Sequence, residues 1–277
     1  MLRIVLCVIA FCLPLFLQAR TLIFSPIPYR NTATLIDNFS PIVDYLNEQL
    51  HIDIKIEIQP SYDTLLQKFK DDQIDIIVIG SLPLVNLMRS TSNAFPVVTF
   101  KEESGHSGYR CVLVKFKTDP LPDPSAYASM KVALTQPLST CGYWMSDLMV
   151  RSTFKHPLDA MLYRYVNSHD DVALSVIRGE FLLGGMKDSV AQKYQSLGLE
   201  VIASSALIPG FSLVLNTHTL SSNQIESIKN ILLETPPQRY HTWGKTTSYG
   251  MQEAHIQDYL DLEVPPLSDI PQKGNMP

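Results

Sequence analysis

The chain has few cysteines and few charged residues for its length. Only four of its 277 residues are cysteines, which excludes a disulfide-rich scaffold. Charged residues make up 18% and apolar residues 45%, a composition typical of a folded globular protein. Acidic residues outnumber basic ones by 27 to 22, giving a formal charge of −5. Since a protein that binds nucleic acid needs a basic face, we expect no nucleic-acid partner.

The short motifs that mark common enzymes and metal sites are also missing. The chain has no Gly-x-Ser-x-Gly elbow, no phosphate loop ending in Gly-Lys-Ser/Thr and no Gly-x-Gly-x-x-Gly. It has no His-x-x-x-His or Cys-x-x-Cys pair, the spacings that zinc sites favour. We therefore expect a protein that is not an enzyme, with no catalytic residues, no metal and no cofactor. A hydrolase built on Cys141 and His169 is the enzymatic alternative.

One long hydrophobic run is present, at the N terminus. Arg3 precedes the apolar run from Ile4 to Leu17, and Ala19 provides a small-residue cleavage site. The run is shorter than the roughly 20 residues that span a bilayer. We predict a cleaved signal peptide over residues 1–19 and export to the periplasm, with an uncleaved membrane anchor as the alternative. Cleavage would remove Arg3 and leave a soluble chain with a formal charge of −6.

The rest of the chain alternates between strand and helix patterns, with polar breaks at 102–108 and at Pro209-Gly210. Such alternation predicts βαβ units. Two α/β runs joined by two breaks predict two lobes, each a mostly parallel sheet flanked by helices, with a ligand in the interlobe cleft. The expected boundaries are 20–106 plus 211–264 for lobe 1, 107–210 for lobe 2, and 265–277 for a loose C-terminal tail.

Polar residues gather at predicted strand-to-helix turns, where open α/β sheets bind ligands. The turn Ser139-Thr140-Cys141-Gly142 is expected to open a helix at Ser139, whose free N–H groups and hydroxyls could bind an anion. Taken alone, the motif is better explained as an ordinary N-cap. His169 could donate to an anion or could be a solvated surface histidine. Tyr62 and Tyr109 could offer phenols or pack half-buried.

The turns belong to segments that stand in a fixed order along the chain. These segments are Ser40-Pro41-Ile42-Val43-Asp44-Tyr45-Leu46, Pro60-Ser61-Tyr62, Asp75 to Ser81, Gly108-Tyr109, Ser139-Thr140-Cys141-Gly142-Tyr143, Ser168-His169-Asp170-Asp171-Val172-Ala173-Leu174 and Leu207-Ile208-Pro209-Gly210. Together they resemble the phosphate/phosphite/phosphonate-binding periplasmic proteins of ABC importers. The resemblance covers nearly all of the predicted mature chain and implies a two-lobed periplasmic binding protein of the type 2-like class.

The resemblance also implies a set of ligand-binding residues. They are Tyr62, Ser81, Tyr109, Ser139, Thr140, Cys141 and His169. Cys141 stands where the family usually has a second serine, and a thiol is a weaker donor. Cys111 and Cys141 are either bonded to each other or reduced, and the sequence leaves both open. Phe211 stands where binders of aminoalkylphosphonates carry an aspartate for the ligand's ammonium group, and an apolar ring cannot pair with that charge.

The function implied by the resemblance is the capture of a small phosphorus oxyanion by hinge closure. The ligand would be a phosphonate, phosphite or phosphate, and the protein, expected to be a monomer, would deliver it to an ABC permease in the inner membrane. A ligand-sensing module for a histidine kinase or chemoreceptor partner is the alternative. The sequence does not say which oxyanion is bound.

Overall fold

The computed structural model describes residues 20–121 and 123–276. The predicted signal peptide, residues 1–19, lies outside them. In the described part of the chain, no helix is both long enough and apolar enough to span a bilayer.

Strands and helices alternate along most of the chain. The strands are β1 (Leu22–Pro26), β2 (Ile54–Ile56), β3 (Ile76–Ile79), β4 (Ala94–Phe100), β5 (Gly108–Tyr109), β6 (Cys111–Phe116), β7 (Lys131–Leu134), β8 (Leu162–Tyr165), β9 (Leu183–Lys187), β10 (Leu199–Ser204), β11 (Ile208–Pro209), β12 (Ser212–Asn216) and β13 (Met251–Glu253). The helices are α1 (Thr32–Leu50), α2 (Tyr62–Lys70), α3 (Ser81–Ser90), α4 (Tyr143–Phe154), α5 (His169–Ile177), α6 (Asp188–Lys193), α7 (Ser222–Leu233), α8 (Pro237–Tyr240) and α9 (Ile256–Leu260).

The first sheet has the strand order β13-β4-β12-β3-β1-β2. Its strand β3 is buried at every position, because helices cover both faces of the sheet. Ile76 and Val78 pack in the same cluster as the apolar face of α1, while Ile77 and Ile79 pack with residues of α2 and α3. The strand ends at Gly80, where the chain turns into α3.

The second sheet has the strand order β10-β6-β9-β7-β8. In β7, Val132 and Leu134 share a cluster with residues of α4, and Ala133 lies on the other face, against Val172 of α5. Strands β8 and β9 both run parallel to β7. The carboxyl ends of these three strands therefore lie at the same edge of the sheet.

Both sheets are mixed, which corrects the expectation of mostly parallel sheets. In the first sheet β1 is parallel to β2 and β3, but β12 is antiparallel to β3 and β4, and β13 is antiparallel to β4. In the second sheet β6 is antiparallel to β9 and β10. The reversals follow from the chain path, because a strand that leaves one sheet for the other and a strand that returns must run in opposite directions.

The chain passes between the sheets twice. On the way out it forms β5 and on the way back β11, and these short strands pair with each other, Tyr109 opposite Ile208. Beyond residue 264 the chain, predicted as a loose tail, lies along the edge strand β8. Asn275 Oδ1 accepts the N–H of Tyr163 at 2.7 Å, and the N–H of Met276 donates to the carbonyl oxygen of Tyr163.

Candidate functional site

Two buried phenols approach each other between the sheets. Tyr62 is the first residue of α2, whose N-cap Ser61 accepts the N–H of Thr64. Tyr109 comes from the outward crossing strand β5. Burial, followed by the proximity of Tyr109 and Tyr29, raises the pKa of Tyr62 far above its usual value. Burial likewise raises the pKa of Tyr109. Both phenols therefore keep their protons and can serve as neutral O–H donors.

The Ser139–Gly142 segment is a wound turn rather than the first turn of a helix. Helix α4 begins at Tyr143, so the prediction that it begins at Ser139 is wrong. The N–H of Ser139 donates to the carbonyl oxygen of Gln136, and the N–H of Gly142 donates to that of Ser139. The chain folds back so closely that a Cβ at Gly142 would lie 2.2 Å from the Gln136 oxygen. This turn presents Thr140 toward the first sheet.

Thr140 joins the two halves of the site. Its Oγ1 accepts the N–H of Leu82, in the first turn of α3, at 3.2 Å. A hydrogen bond from Thr140 also opposes the rise in the pKa of Tyr109. Ser81 precedes Leu82, and its buried hydroxyl donates to the carbonyl oxygen of Pro209 at 2.8 Å. The Ser81 side chain thus holds the return crossing against the start of α3.

Cys141 is bonded to Cys111, with 5.2 Å between their Cα atoms. The bond settles the question that the sequence left open, and it leaves Cys141 without an S–H group. It also ties the Ser139–Gly142 turn to the first residue of β6, two residues after Tyr109.

His169 is a neutral donor whose tautomer is set by the backbone. It opens α5, and Ser168 caps that helix together with Asp171. Nδ1 of His169 accepts the N–H of Lys187 at 3.1 Å, so the ring proton resides on Nε2. Burial, reinforced by the charge of Lys187, lowers the pKa of His169 to about 3. The imidazole is uncharged at neutral pH and can donate from Nε2.

Two cations near His169 were not among the predicted site residues. Lys187 Nζ lies 2.6 Å from Glu102 Oε2 and 4.8 Å from the ring centroid of Tyr109. Arg30, which follows β1, lies 2.9 Å from Oδ2 of Asp170. Lys187 is the last residue of β9. It therefore stands at a strand end, where open α/β sheets bind ligands.

An aromatic wall borders the same region. The rings of Tyr29 and Phe211 stack with their centroids 5.7 Å apart. Phe211 also lies 3.4 Å from the position that a Cβ at Gly80 would take. The wall is therefore apolar next to the turn that opens α3. The one polar group of the two rings, the Tyr29 hydroxyl, lies 2.8 Å from Thr246 Oγ1.

A family model of the ABC transporter, phosphonate, periplasmic substrate-binding protein matches residues 24–259 of this chain. The chain belongs to this family. The resemblance inferred from the motifs is thereby confirmed. The family consists of periplasmic binding proteins that serve ABC transporters and is not a family of enzymes.

Solved structures share the two-lobed fold of this phosphonate-binding family. PhnD1 from Prochlorococcus marinus in complex with methylphosphonate has a TM-score of 0.72 at 15% identity, covering 86% of this chain and 94% of that one. A binding protein component of an ABC phosphonate transporter from Pseudomonas aeruginosa has a TM-score of 0.68 at 18% identity, covering 87% and 84%. The VFT2 domain of BvgS from Bordetella pertussis is more distant, with a TM-score of 0.50 at 13% identity, covering 78% and 88%. At these identities the similarity shows the fold.

Proposed function

We propose that this protein captures a small phosphorus oxyanion between its two lobes, residues 20–106 with 211–264 and residues 107–210, and delivers it to an ABC permease. The observation that carries the proposal is that neutral polar side chains of both lobes are linked by contacts. Tyr62 lies near Tyr109, Thr140 forms a hydrogen bond with Tyr109, and Lys187 contacts both the Tyr109 ring and the His169 imidazole. Tyr62 comes from α2, Tyr109 from the crossing, Thr140 from the wound turn and His169 from α5. Neutral donors with fixed positions suit an anion, because their dipoles are oriented before the ligand arrives.

The donors can account for useful affinity. Hydrogen bonds to a charged group contribute roughly 1.5–3 kcal/mol each. Four or five of them, less the cost of ordering and desolvation, support micromolar binding, about −8 kcal/mol. Ser139 adds a hydroxyl beside Thr140. Cys141 contributes through its backbone N–H, which donates to no other residue in the described part of the chain. Ser81 contributes by placing the start of α3, since its hydroxyl is already engaged.

The ligand's substituent is small and carries no ammonium group. Phe211 and Tyr29 form the apolar wall, which suits a hydrogen or methyl substituent. The nearby carboxylate of Glu102 is paired with Lys187 at 2.6 Å. The carboxylate of Asp188, also near Tyr109, accepts the backbone N–H groups of Arg110 and Ser189. The Phe211 ring offers an ammonium group no counter-charge, and burying that group without a partner is costly. Methylphosphonate, phosphite and phosphate are therefore favoured over 2-aminoethylphosphonate.

A thermal-shift screen followed by calorimetry tests the proposal. The purified protein is titrated with methylphosphonate, phosphite, phosphate, sulfate and 2-aminoethylphosphonate. At least one of the first three should raise Tm by mass action, and His169→Ala and Ser139→Ala should lose much of that rise. His255→Ala is the matched control, since His255 is exposed and should keep it. If none of the three changes Tm or releases heat on binding, the proposed ligand class is wrong.

Replacing Phe211 in the aromatic wall tests the proposed selectivity against 2-aminoethylphosphonate. Phe211→Asp should gain affinity for 2-aminoethylphosphonate, because the new carboxylate can pair with the ammonium group. Phe211→Asn has a similar shape without the charge and should not gain it. Calorimetry with both variants and the wild type measures the difference. Tight binding of 2-aminoethylphosphonate by the wild type would contradict the assignment of the wall.

A further inference from the structure

Thr135 carries a buried hydroxyl without a partner. The residue is 2% exposed, and its Oγ1 makes no hydrogen bond to any residue that the structure describes. Leaving a buried polar group without a hydrogen bond destabilises the folded protein. Native proteins rarely retain such a group without a structural or functional reason. Thr135 directly follows β7, at the edge of the second sheet where the candidate site lies. A functional reason for the unpaired hydroxyl therefore depends on where Thr135 stands relative to the donors of that site.

The strand register places Thr135 on the side of the sheet that holds α5. Ala133 pairs with Gly184 in the parallel β7–β9 ladder, and both lie against α5, since a Cβ at Gly184 would be 2.7 Å from Val172. Side chains alternate along a strand, so Thr135 shares the face of Ala133. Continuing the register by two residues puts it level with Met186, which belongs to the cluster packed on α5.

Thr135 is also flanked by the two turns that hold candidate donors. Its neighbour Gln136 donates to Oδ1 of Asn167, two residues before His169, at 3.1 Å. The same Gln136 accepts the N–H of Ser139 in the wound turn. On the β9 side, the residue after Met186 supplies the N–H that orients the His169 ring. The unpartnered hydroxyl thus lies at the carboxyl end of β7, between the two donor turns of the second sheet.

We propose that Thr135 is a further ligand-binding residue, whose hydroxyl donates to an oxygen of the bound oxyanion beside Nε2 of His169. The inference rests on the proposed function and deepens it, because it adds a donor at a position that the family resemblance did not assign. A hydroxyl can turn its proton toward an acceptor. A fully ionised oxyanion offers only acceptors and is the partner that this hydroxyl lacks.

Calorimetry on two variants tests the proposal, using whichever of methylphosphonate, phosphite and phosphate binds the wild type most tightly. Thr135→Val keeps the side-chain shape and removes the donor, so affinity should fall by about tenfold or more. The Tm of the ligand-free protein should stay the same or rise, because an unsatisfied group has been removed. Thr135→Ser keeps the hydroxyl and should retain most of the affinity. Thr135→Ala, which also lacks it, replaces the valine variant if that one does not fold.

Thr235→Val is the matched control. The Thr235 hydroxyl is buried and donates to the carbonyl oxygen of Ile231 at 2.8 Å, so its loss should lower Tm and leave affinity unchanged. Wild-type affinity in Thr135→Val overturns the inference while leaving the proposed function intact. Equal losses in Thr135→Val and Thr135→Ser overturn it as well, because the hydroxyl would not be the cause. If the wild type binds none of the three oxyanions, the proposed function fails, and this inference fails with it.

Discussion

Acidification should destabilise this protein through His169. The Nδ1 atom of its imidazole accepts the N–H of Lys187 at 3.1 Å. A proton on Nδ1 would put two donors face to face and remove that hydrogen bond. The positive charges of Lys187 and Arg30 disfavour protonation of the ring and lower its pKa. The negative charge of Asp170 acts in the opposite direction. Burial is the largest contribution, and the pKa of the ring falls from 6.5 to about 3.

The sign and size of the effect follow from linkage. Above pH 6.5 the ring is neutral in both the folded and unfolded states, so it contributes nothing to the pH dependence. Between pH 6.5 and about pH 3 the unfolded chain binds a proton that the folded protein excludes, and the free energy of unfolding falls as the pH falls. One pKa unit corresponds to about 1.4 kcal/mol, so the loss is about 2 kcal/mol at pH 5. Since His169 as a residue is partly accessible to solvent, screening makes this an upper value.

Urea unfolding at pH 7.5 and pH 5 measures this loss. In His169→Gln the amide oxygen can still accept the N–H of Lys187, but the side chain does not titrate. The wild type should lose about 2 kcal/mol more stability between the two pH values than this variant does. His255→Gln, at an exposed position, should behave as the wild type. If wild type and His169→Gln lose the same amount, His169 is not held neutral by burial, and the assigned tautomer loses its support.

Three further perturbations address the disulfide, the contact between the lobes and the wound turn. The double variant C111A/C141A removes a bond that spans 30 residues and should lose about 3–4 kcal/mol of unfolding free energy in urea; an unchanged midpoint would contradict this. Arg30→Ala breaks the ion pair with Asp170, which would help to hold the lobes closed. Oxyanion dissociation measured by stopped flow should therefore become about threefold faster. An unchanged rate would mean that the pair does not hold the lobes closed. Gly142→Ala would place a methyl group 2.2 Å from the backbone oxygen of Gln136 and distort the Ser139–Gly142 turn. Calorimetry should then show weaker oxyanion binding. Wild-type affinity in this variant would show that the turn is not part of the site.

The main elements of the fold could be predicted where the buried apolar residues recur at a regular spacing along the sequence. The apolar positions of α1 recur at helical spacing from Leu35 to Leu46, and β3 is a continuous apolar run. Strand β9 is harder to predict, because Gly184 and Gly185 weaken its strand pattern. Both glycines are required by packing on the two faces, since a Cβ at Gly184 would meet Val172 and one at Gly185 would meet Ser146. That requirement depends on helices distant in sequence.

The candidate site was partly predictable for a similar reason. Tyr62 and His169 follow from a local rule, because they stand at strand-to-helix turns, and the carboxyl ends of neighbouring parallel strands share one edge. The pairing of Cys111 with Cys141, the ion pair of Lys187 with Glu102 and the unpartnered hydroxyl of Thr135 are set by contacts between distant segments. No local pattern in a single sequence reports such contacts.

The pairing of charges around the site explains how an acidic protein can be suited to an anion. Lys187 is paired with Glu102, and Arg30 shares the carboxylate of Asp170 with Lys193, so both cations are already engaged by a carboxylate. Under the proposed function, recognition depends on hydroxyl, amide and imidazole donors whose directions are fixed by the fold. Such donors act over one hydrogen-bond length, and they come from both sheets. Under the proposed function, a ligand would satisfy all of them only when the lobes are closed, so selectivity for a small oxyanion and closure of the cleft would have the same physical origin.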